Sequence, residues 1–292
     1  MREDFRMSTP DAEQYKANQR KGWDDVANGW QKWWKTTERA ADKVSKRLIE
    51  LTDIKPGSKV LDLATGIGEP SITAAQKVGN NGHVLAIDIS SQMLRIANQR
   101  AVSLDLQEII DFREGDAETI DLPASTFDAA LCRFGLMFLP NLEAGLHNIY
   151  KSLVIDGRLA AAVWASPDKV PFISLPLNTV LKETNSKLPP GNLGPFSLSN
   201  ENILNNIFIK AGFENITNER MDVIFDFDSA EAFTNFTYET AAPIQAILSN
   251  QTPDRRRKIL KAVTEAVREY TGKGSGPVSL SNEAICIGGK KQ

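Results

Sequence analysis

One stretch limits the fold of this chain more than any other. Residues 60–70 read Val-Leu-Asp-Leu-Ala-Thr-Gly-Ile-Gly-Glu-Pro, an apolar run ending in two glycines. A second apolar run ends at Ile87 and Asp88, and Asp88 lies twenty residues after Gly68. A strand, a glycine turn, a helix and a second strand closed by an acid are the start of a βαβ unit. Gly66 and Gly68 let the backbone turn sharply and lie against a ligand where a Cβ would intrude. Asp88, at the tip of the second strand, is placed to accept from both hydroxyls of an adenosine ribose.

The acids of the loop narrow the ligand. Asp62 and Glu69 flank the glycines, where a dinucleotide would place its pyrophosphate near a helix N-terminus. Two carboxylates repel phosphate but suit an adenosine ligand with cationic groups and no phosphate. S-adenosyl-L-methionine (SAM), with an ammonium and a sulfonium, is such a ligand. Residues 112–118 read as a third strand and a polar turn, where Asp116 could accept from an adenine amino group and the Ala117 amide donate to the ring. Residues 127–134 read as a fourth strand, and 153–159 as a turn into a fifth at 160–164.

The order and spacing of these motifs resemble the class I SAM-dependent methyltransferases. The pattern is nearest the ubiquinone/menaquinone-biosynthesis C-methyltransferase type and related small-molecule enzymes. The resemblance implies an α/β, Rossmann-like, doubly wound sheet of seven mostly parallel strands, the last antiparallel, with helical cap insertions. It implies that Asp62, Ala64, Gly66 and Gly68 surround the methionine moiety of SAM. Asp88, Ile89 and Met93 would hold ribose and adenine, Asp116 and Ala117 would frame the adenine, and Arg133 and Phe134 would floor the site. Trp30 would approach the methionine end. Each of three residues has a plainer reading beside this one: core packing for Met93, a surface ion pair for Arg133, a hydrophobic anchor for Trp30.

Four of the five tryptophans (Trp23, Trp30, Trp33 and Trp34) crowd into one N-terminal segment. A helix is expected over about 38–51, with Ala41, Val44, Leu48 and Leu51 on one face. Asp24 and Asp25 read as a helix N-terminus. Met1 and Met7 are both candidate starts. Residues 1–55 are expected to form a helical segment covering the site, and 56–292 the SAM-dependent methyltransferase domain. Two insertions, at about 166–198 and 229–272, break the β/α rhythm. The first is punctuated by Pro171, Pro176, Pro189, Pro190 and Pro195. The second carries two helical patterns. Strand six is expected at 223–227 and the last strand at 278–287.

The remaining features weigh on function. Net charge is −3 and no basic stripe or added RNA-binding segment is present, so no nucleic-acid partner is expected. The basic run at Arg255 to Lys258 follows a helix start at Thr252, Pro253 and Asp254, and reads as a solvated face. No apolar run reaches membrane-spanning length. Cys132 and Cys286 read as buried thiols of a reduced, cytoplasmic protein. No His/Cys/carboxylate cluster has metal-ligand spacing, so no metal is expected. His83 and His147 read as structural. Tyr238, with Phe233, Phe236 and Glu239, is the best candidate for touching substrate, and no catalytic base is assigned. The expected partner is a small, apolar or aromatic methyl acceptor, its atom type and the oligomeric state left open. Three alternatives stand beside this reading: a nucleic-acid or protein methyltransferase, a non-catalytic SAM-binding protein, and an NAD(P)-dependent oxidoreductase. Against the last, Ser71 occupies the third glycine position of the dinucleotide fingerprint.

Overall fold

The computed structural model describes residues 9–187, 193–271 and 276–292; Met7, Pro189, Pro190 and Gly272 fall outside these. Seven strands form one sheet: β1 (Lys59–Leu63), β2 (His83–Asp88), β3 (Ile110–Glu114), β4 (Phe127–Arg133), β5 (Leu153–Trp164), β6 (Glu214–Phe227) and β7 (Val278–Lys290). Their order is β3-β2-β1-β4-β5-β7-β6. β1 to β5 pair in parallel, and β7 runs antiparallel between β5 and β6. The expected seven-stranded, mostly parallel sheet is therefore present. Strand order reverses between β1 and β4, which opens a crevice at their carboxyl ends.

The helices are α1 (Thr9–Leu51), α2 (Ser71–Val78), α3 (Ser91–Ser103), α4 (Leu142–Ser152), α5 (Pro171–Thr184), α6 (Glu201–Lys210), α7 (Ala230–Thr240), α8 (Ala242–Ser249) and α9 (Pro253–Val267). Ser90 caps α3 through the Met93 amide, and Asn141 caps α4 through that of Ala144. Thr252 and Pro253 start α9 as expected. Val60, Leu61, Leu63, Ala86, Ile87, Ala130 and Leu131 are buried, as covering both faces of a parallel sheet requires.

The N-terminal segment departs from expectation. The helix expected at 38–51 begins at Thr9 and runs unbroken for 43 residues, about 65 Å. Gly22 and Gly29 are points of close approach. A Cβ on Gly29 would lie 1.9 Å from the Glu239 carbonyl oxygen, and one on Gly22 would lie 3.2 Å from Ala242 Cβ. Asp24 and Asp25 are accordingly mid-helix, not at an N-terminus. Val26, Ala27, Ala40, Ala41, Val44, Leu48 and Ile49 form the buried stripe. Full burial of Val44 or Leu48 is worth about 1.5–3 kcal/mol each.

Two further boundaries move. Strand six begins at Glu214 and not near 223, because β6 pairs with β7 from Lys290 opposite Glu214 to Val278 opposite Phe227, broken only by a register shift between Glu214 and Thr217. Its early residues are polar edge positions, which read locally as loop. The second insertion holds three helices, not two, since Ala241 and Pro243 separate α7 from α8. Among the described residues no helix is long and apolar enough to cross a membrane.

Candidate functional site

The carboxyl ends of β1, β2, β3 and β4 bring the predicted residues to one edge of the sheet. After β1 the chain turns through Ala64, Gly66 and Gly68 at φ of 56°, 57° and 103°. A Cβ on Gly66 would meet nothing within 4 Å, whereas one on Gly68 would meet Ile72 Cδ1 at 3.1 Å and Ala97 Cβ at 3.3 Å. Gly66 thus borders open space, and Gly68 packs the loop onto α2 and α3. Asp88 ties the loop down: Oδ2 accepts from the Gly66 amide at 2.7 Å and Oδ1 from the Ser90 amide at 2.9 Å. Each oxygen keeps a second lone pair. Burial pushes the Asp88 carboxyl up to about 6.

Asp62 is fully buried beneath the turn. Its Oδ2 accepts from Ser71 Oγ at 2.6 Å, and Thr65 Oγ1 donates in turn to Ser71 Oγ. Burial raises this carboxyl to about 7. Glu69 Oε2 accepts from Thr73 Oγ1 at 2.8 Å. Asp62 Oδ1 and Glu69 Oε1 are buried with no hydrogen-bond partner. Such atoms are costly unless a donor reaches them in some working state.

At the end of β4, Arg133 is not the surface ion pair that one reading allowed. It turns inward and donates to Ser45 Oγ of α1 at 2.7 Å, and burial pulls its guanidinium below the usual range against the pull of Glu69 and Asp62. Phe134, at φ 60°, stacks on Trp164 with centroids 4.1 Å apart. Gly135 lets this turn meet the glycine loop, since a Cβ there would lie 2.5 Å from Ala64 Cβ.

Three turns of α1 fasten the edges of the site. Lys16 pairs with Asp116 at 2.7 Å and with Glu118. Arg20 Nε donates to the Ile89 carbonyl at 3.1 Å. Asp24 Oδ1 accepts from Ser90 Oγ at 2.6 Å and from the Gln92 amide at 3.1 Å. Asp116 also receives the Glu118 amide on Oδ1, which sets the turn that carries Ala117. The spacing of Lys16, Arg20 and Asp24 is one helical face, the only signal of this strap in the sequence.

Met93 packs with Val26, Ala27, Ile67 and Ile96 in a small buried cluster ringed by Trp23, Trp30 and Trp34. Trp30 Nε1 donates to the Thr240 carbonyl at 3.1 Å, while Lys32 and Trp33 both hold Glu239. The tryptophan segment therefore clamps α1 to the corner of α7 and α8. Tyr238, on the same corner, sits half-buried with its hydroxyl 3.4 Å from Arg256. Arg256 also donates to the Leu248 carbonyl, so the basic run is not wholly a solvated face. Glu38 and Arg100, absent from the sequence-based set, stand beside Glu69, with Arg100 donating to Glu38 at 2.6 Å and to the Ile67 carbonyl.

Residues 60–157 match the methyltransferase domain family. The chain is similar to methyltransferases over that segment. It is 35% identical over 114 residues to the ubiquinone/menaquinone biosynthesis C-methyltransferase of Hydrogenovibrio crunogenus, covering 39% of this chain and 45% of that protein. The enzyme of that name from Pseudomonas savastanoi is 27% identical over 183 residues, 59% of this chain and 72% of the relative. The chain thus spans about half to three quarters of the length of these relatives. Among solved structures, phosphoethanolamine N-methyltransferase 2 of Haemonchus contortus, in complex with SAM, shares the fold at a TM-score of 0.55 and 16% identity. That match covers 90% of this chain and 57% of the other.

The strand-end site presents acceptors for the cationic and hydroxyl groups of a SAM molecule. The open space at Gly66 admits a ligand, the two orphaned carboxylate oxygens lack only donors, and Asp88 retains lone pairs for hydroxyls. These features fit the cofactor; a pyrophosphate would meet the same carboxylates as repulsion.

Proposed function

We propose that this chain is a SAM-dependent methyltransferase acting on a small, largely apolar or aromatic acceptor. The observation that carries the reading is the pair of buried, unpartnered carboxylate oxygens of Asp62 and Glu69, which flank the loop whose Gly66 borders open space. When bound, SAM would supply a sulfonium-activated methyl group for in-line transfer to a nucleophile, with the thioether S-adenosylhomocysteine as the leaving group. Asp62, Ala64, Gly66 and Gly68 would cradle its methionine end and Asp88 with Ile89 its ribose. Met93, Asp116 and Ala117 would border the adenine, and Arg133 and Phe134 would close the floor. Trp30 would act from above, as part of the roof. The chain's contribution is to hold nucleophile and methyl in line and keep water out. Such orientation supplies up to about 7–11 kcal/mol of a barrier in well-aligned systems.

Aromatic packing that continues from Phe134 through Trp164 to Phe172 supports an apolar acceptor. Phe172 stacks on Phe225 at 3.8 Å, and Trp33, Phe227 and Phe236 pack around them. Residues 9–55 and the described parts of the cap segments, 166–187, 193–198 and 229–271, would then enclose both ligands. The names of the two bacterial relatives make a quinone ring the first acceptor to try. Isothermal titration with SAM, S-adenosylhomocysteine, NAD and NADP tests the cofactor, and mass-spectrometric methyl transfer to demethylated quinones and phenols tests the acceptor. Micromolar SAM binding without dinucleotide binding is expected. Dinucleotide binding alone would overturn the reading.

A further inference from the structure

On the inner side of α1, Glu38 shares Arg100 with Glu69 of the glycine loop. Arg100 of α3 donates to Glu38 at 2.6 Å but stands 3.7 Å from Glu69 Oε1, beyond hydrogen-bond distance. Thr73 of α2 serves only Oε2. Two things can satisfy Oε1: a proton shared with Glu38, or a donor carried in by a ligand. Asp62 Oδ1, buried at β1, is in the same position.

The charges give the same answer. Glu38 is faced by Glu69 from the glycine loop, by Arg100 from α3 and by Arg133 from the end of β4. Arg133 in turn feels Glu69, Asp62 and Glu38. Three carboxyl groups therefore share two guanidinium groups. One positive charge is missing from the cluster, and a buried excess carboxylate must acquire it.

We propose that Glu38 joins Glu69 in seating the α-ammonium of the cofactor, and that the cluster holds one proton in the cofactor-free protein and releases it when the ammonium is seated. This rests on the SAM-binding reading above. Burial, with Glu69 alongside, pushes the Glu38 carboxyl up to about 7, so the pair retains its proton below neutrality. An adjacent ammonium favours the carboxylate, so Glu38 ionises, the proton passes to the buffer and the cluster keeps its net charge. Affinity should consequently fall as pH drops through about 7, toward a limit of tenfold per pH unit.

The test is calorimetric. The full chain is titrated with S-adenosylhomocysteine at pH 6.5 in phosphate, PIPES and imidazole, whose ionisation enthalpies differ. The slope of observed enthalpy against ionisation enthalpy counts protons exchanged. Wild type should release roughly half to one proton per ligand bound. Glu38→Gln should still bind, more weakly, and release clearly fewer protons than wild type, the remainder coming from Asp62. Binding without proton release by wild type would overturn the proposal, as would a Glu38→Gln variant that releases as much as wild type. Should Glu38→Gln fail to fold, wild-type Kd between pH 5.5 and 7.5 decides alone, since a flat profile rejects the displaced proton. Failure to bind the ligand at any pH would instead refute the cofactor reading, and this inference with it.

Discussion

Replacing Gly66 by alanine, with Gly57→Ala as its partner variant, separates a ligand cradle from an ordinary glycine turn. Both glycines have positive φ, 57° and 85°, and a Cβ on either meets nothing within 4 Å. Both substitutions should therefore cost the same thing, the strain of a left-handed alanine, about 1–2 kcal/mol. For a chain of this size that lowers Tm by about 2–8 °C. Only Gly66 borders the proposed cofactor space, and overpacking a filled site by one methyl group costs about 1–3 kcal/mol. Gly66→Ala should weaken SAM binding by roughly five- to 150-fold, while Gly57→Ala leaves it within twofold or so of wild type. Gly68→Ala makes a third arm: its Cβ would press on Ile72 and Ala97, so its Tm should fall furthest. Differential scanning fluorimetry reads the first quantity and calorimetry the second. If Gly66→Ala bound SAM as well as Gly57→Ala does, the space beside Gly66 would not be the cofactor's.

Three other outcomes are expected. Asp88→Ala should weaken SAM binding more than tenfold and, because the carboxylate anchors the Gly66 and Ser90 amides, speed hydrogen exchange at both; unchanged affinity would remove Asp88 from the site. Asp62 has a folded-state value raised to about 7, so its contribution favours folding at low pH and is lost as pH rises through 7. Asp62→Asn should then raise Tm at pH 8 by the equivalent of about 1–3 kcal/mol, once the new amide's unpaired N–H is allowed for, with the gain shrinking toward pH 5; no gain at pH 8 would show that the buried charge is compensated. Removing the strap with Lys16→Ala, Arg20→Ala and Asp24→Ala together should speed release of S-adenosylhomocysteine in stopped flow by about tenfold, since part-exposed pairs contribute about 0.2–1 kcal/mol each; release at the wild-type rate would mean that α1 does not roof the site.

The candidate site was legible where its parts are local. The glycine loop, Asp88 and Asp116 each follow directly from a strand end, so strand periodicity and turn residues locate them in the sequence. Glu38 was illegible, because on its own it is one acid among several on a charged helix and acquires meaning only opposite Glu69 and Arg100. The extent of β6 was hidden for a related reason: Thr217, Asn218, Glu219 and Arg220 are strand residues only because β7 lies beside them.

The sequence alone determined the parallel sheet and the chemistry of its carboxyl edge, because hydrophobic periodicity and glycine turns act over a few residues. Tertiary structure decided what covers that edge. Lys16 reaches Asp116 across 100 positions, Arg100 reaches Glu38 across 62 and Trp30 reaches Thr240 across 210. No local pattern encodes such pairings; they exist because α1 lies across the strand ends and α7–α8 lock onto it. The charge balance of the buried carboxyl cluster is likewise a property of the folded assembly, since its five members come from α1, β1, the loop after it, α3 and β4.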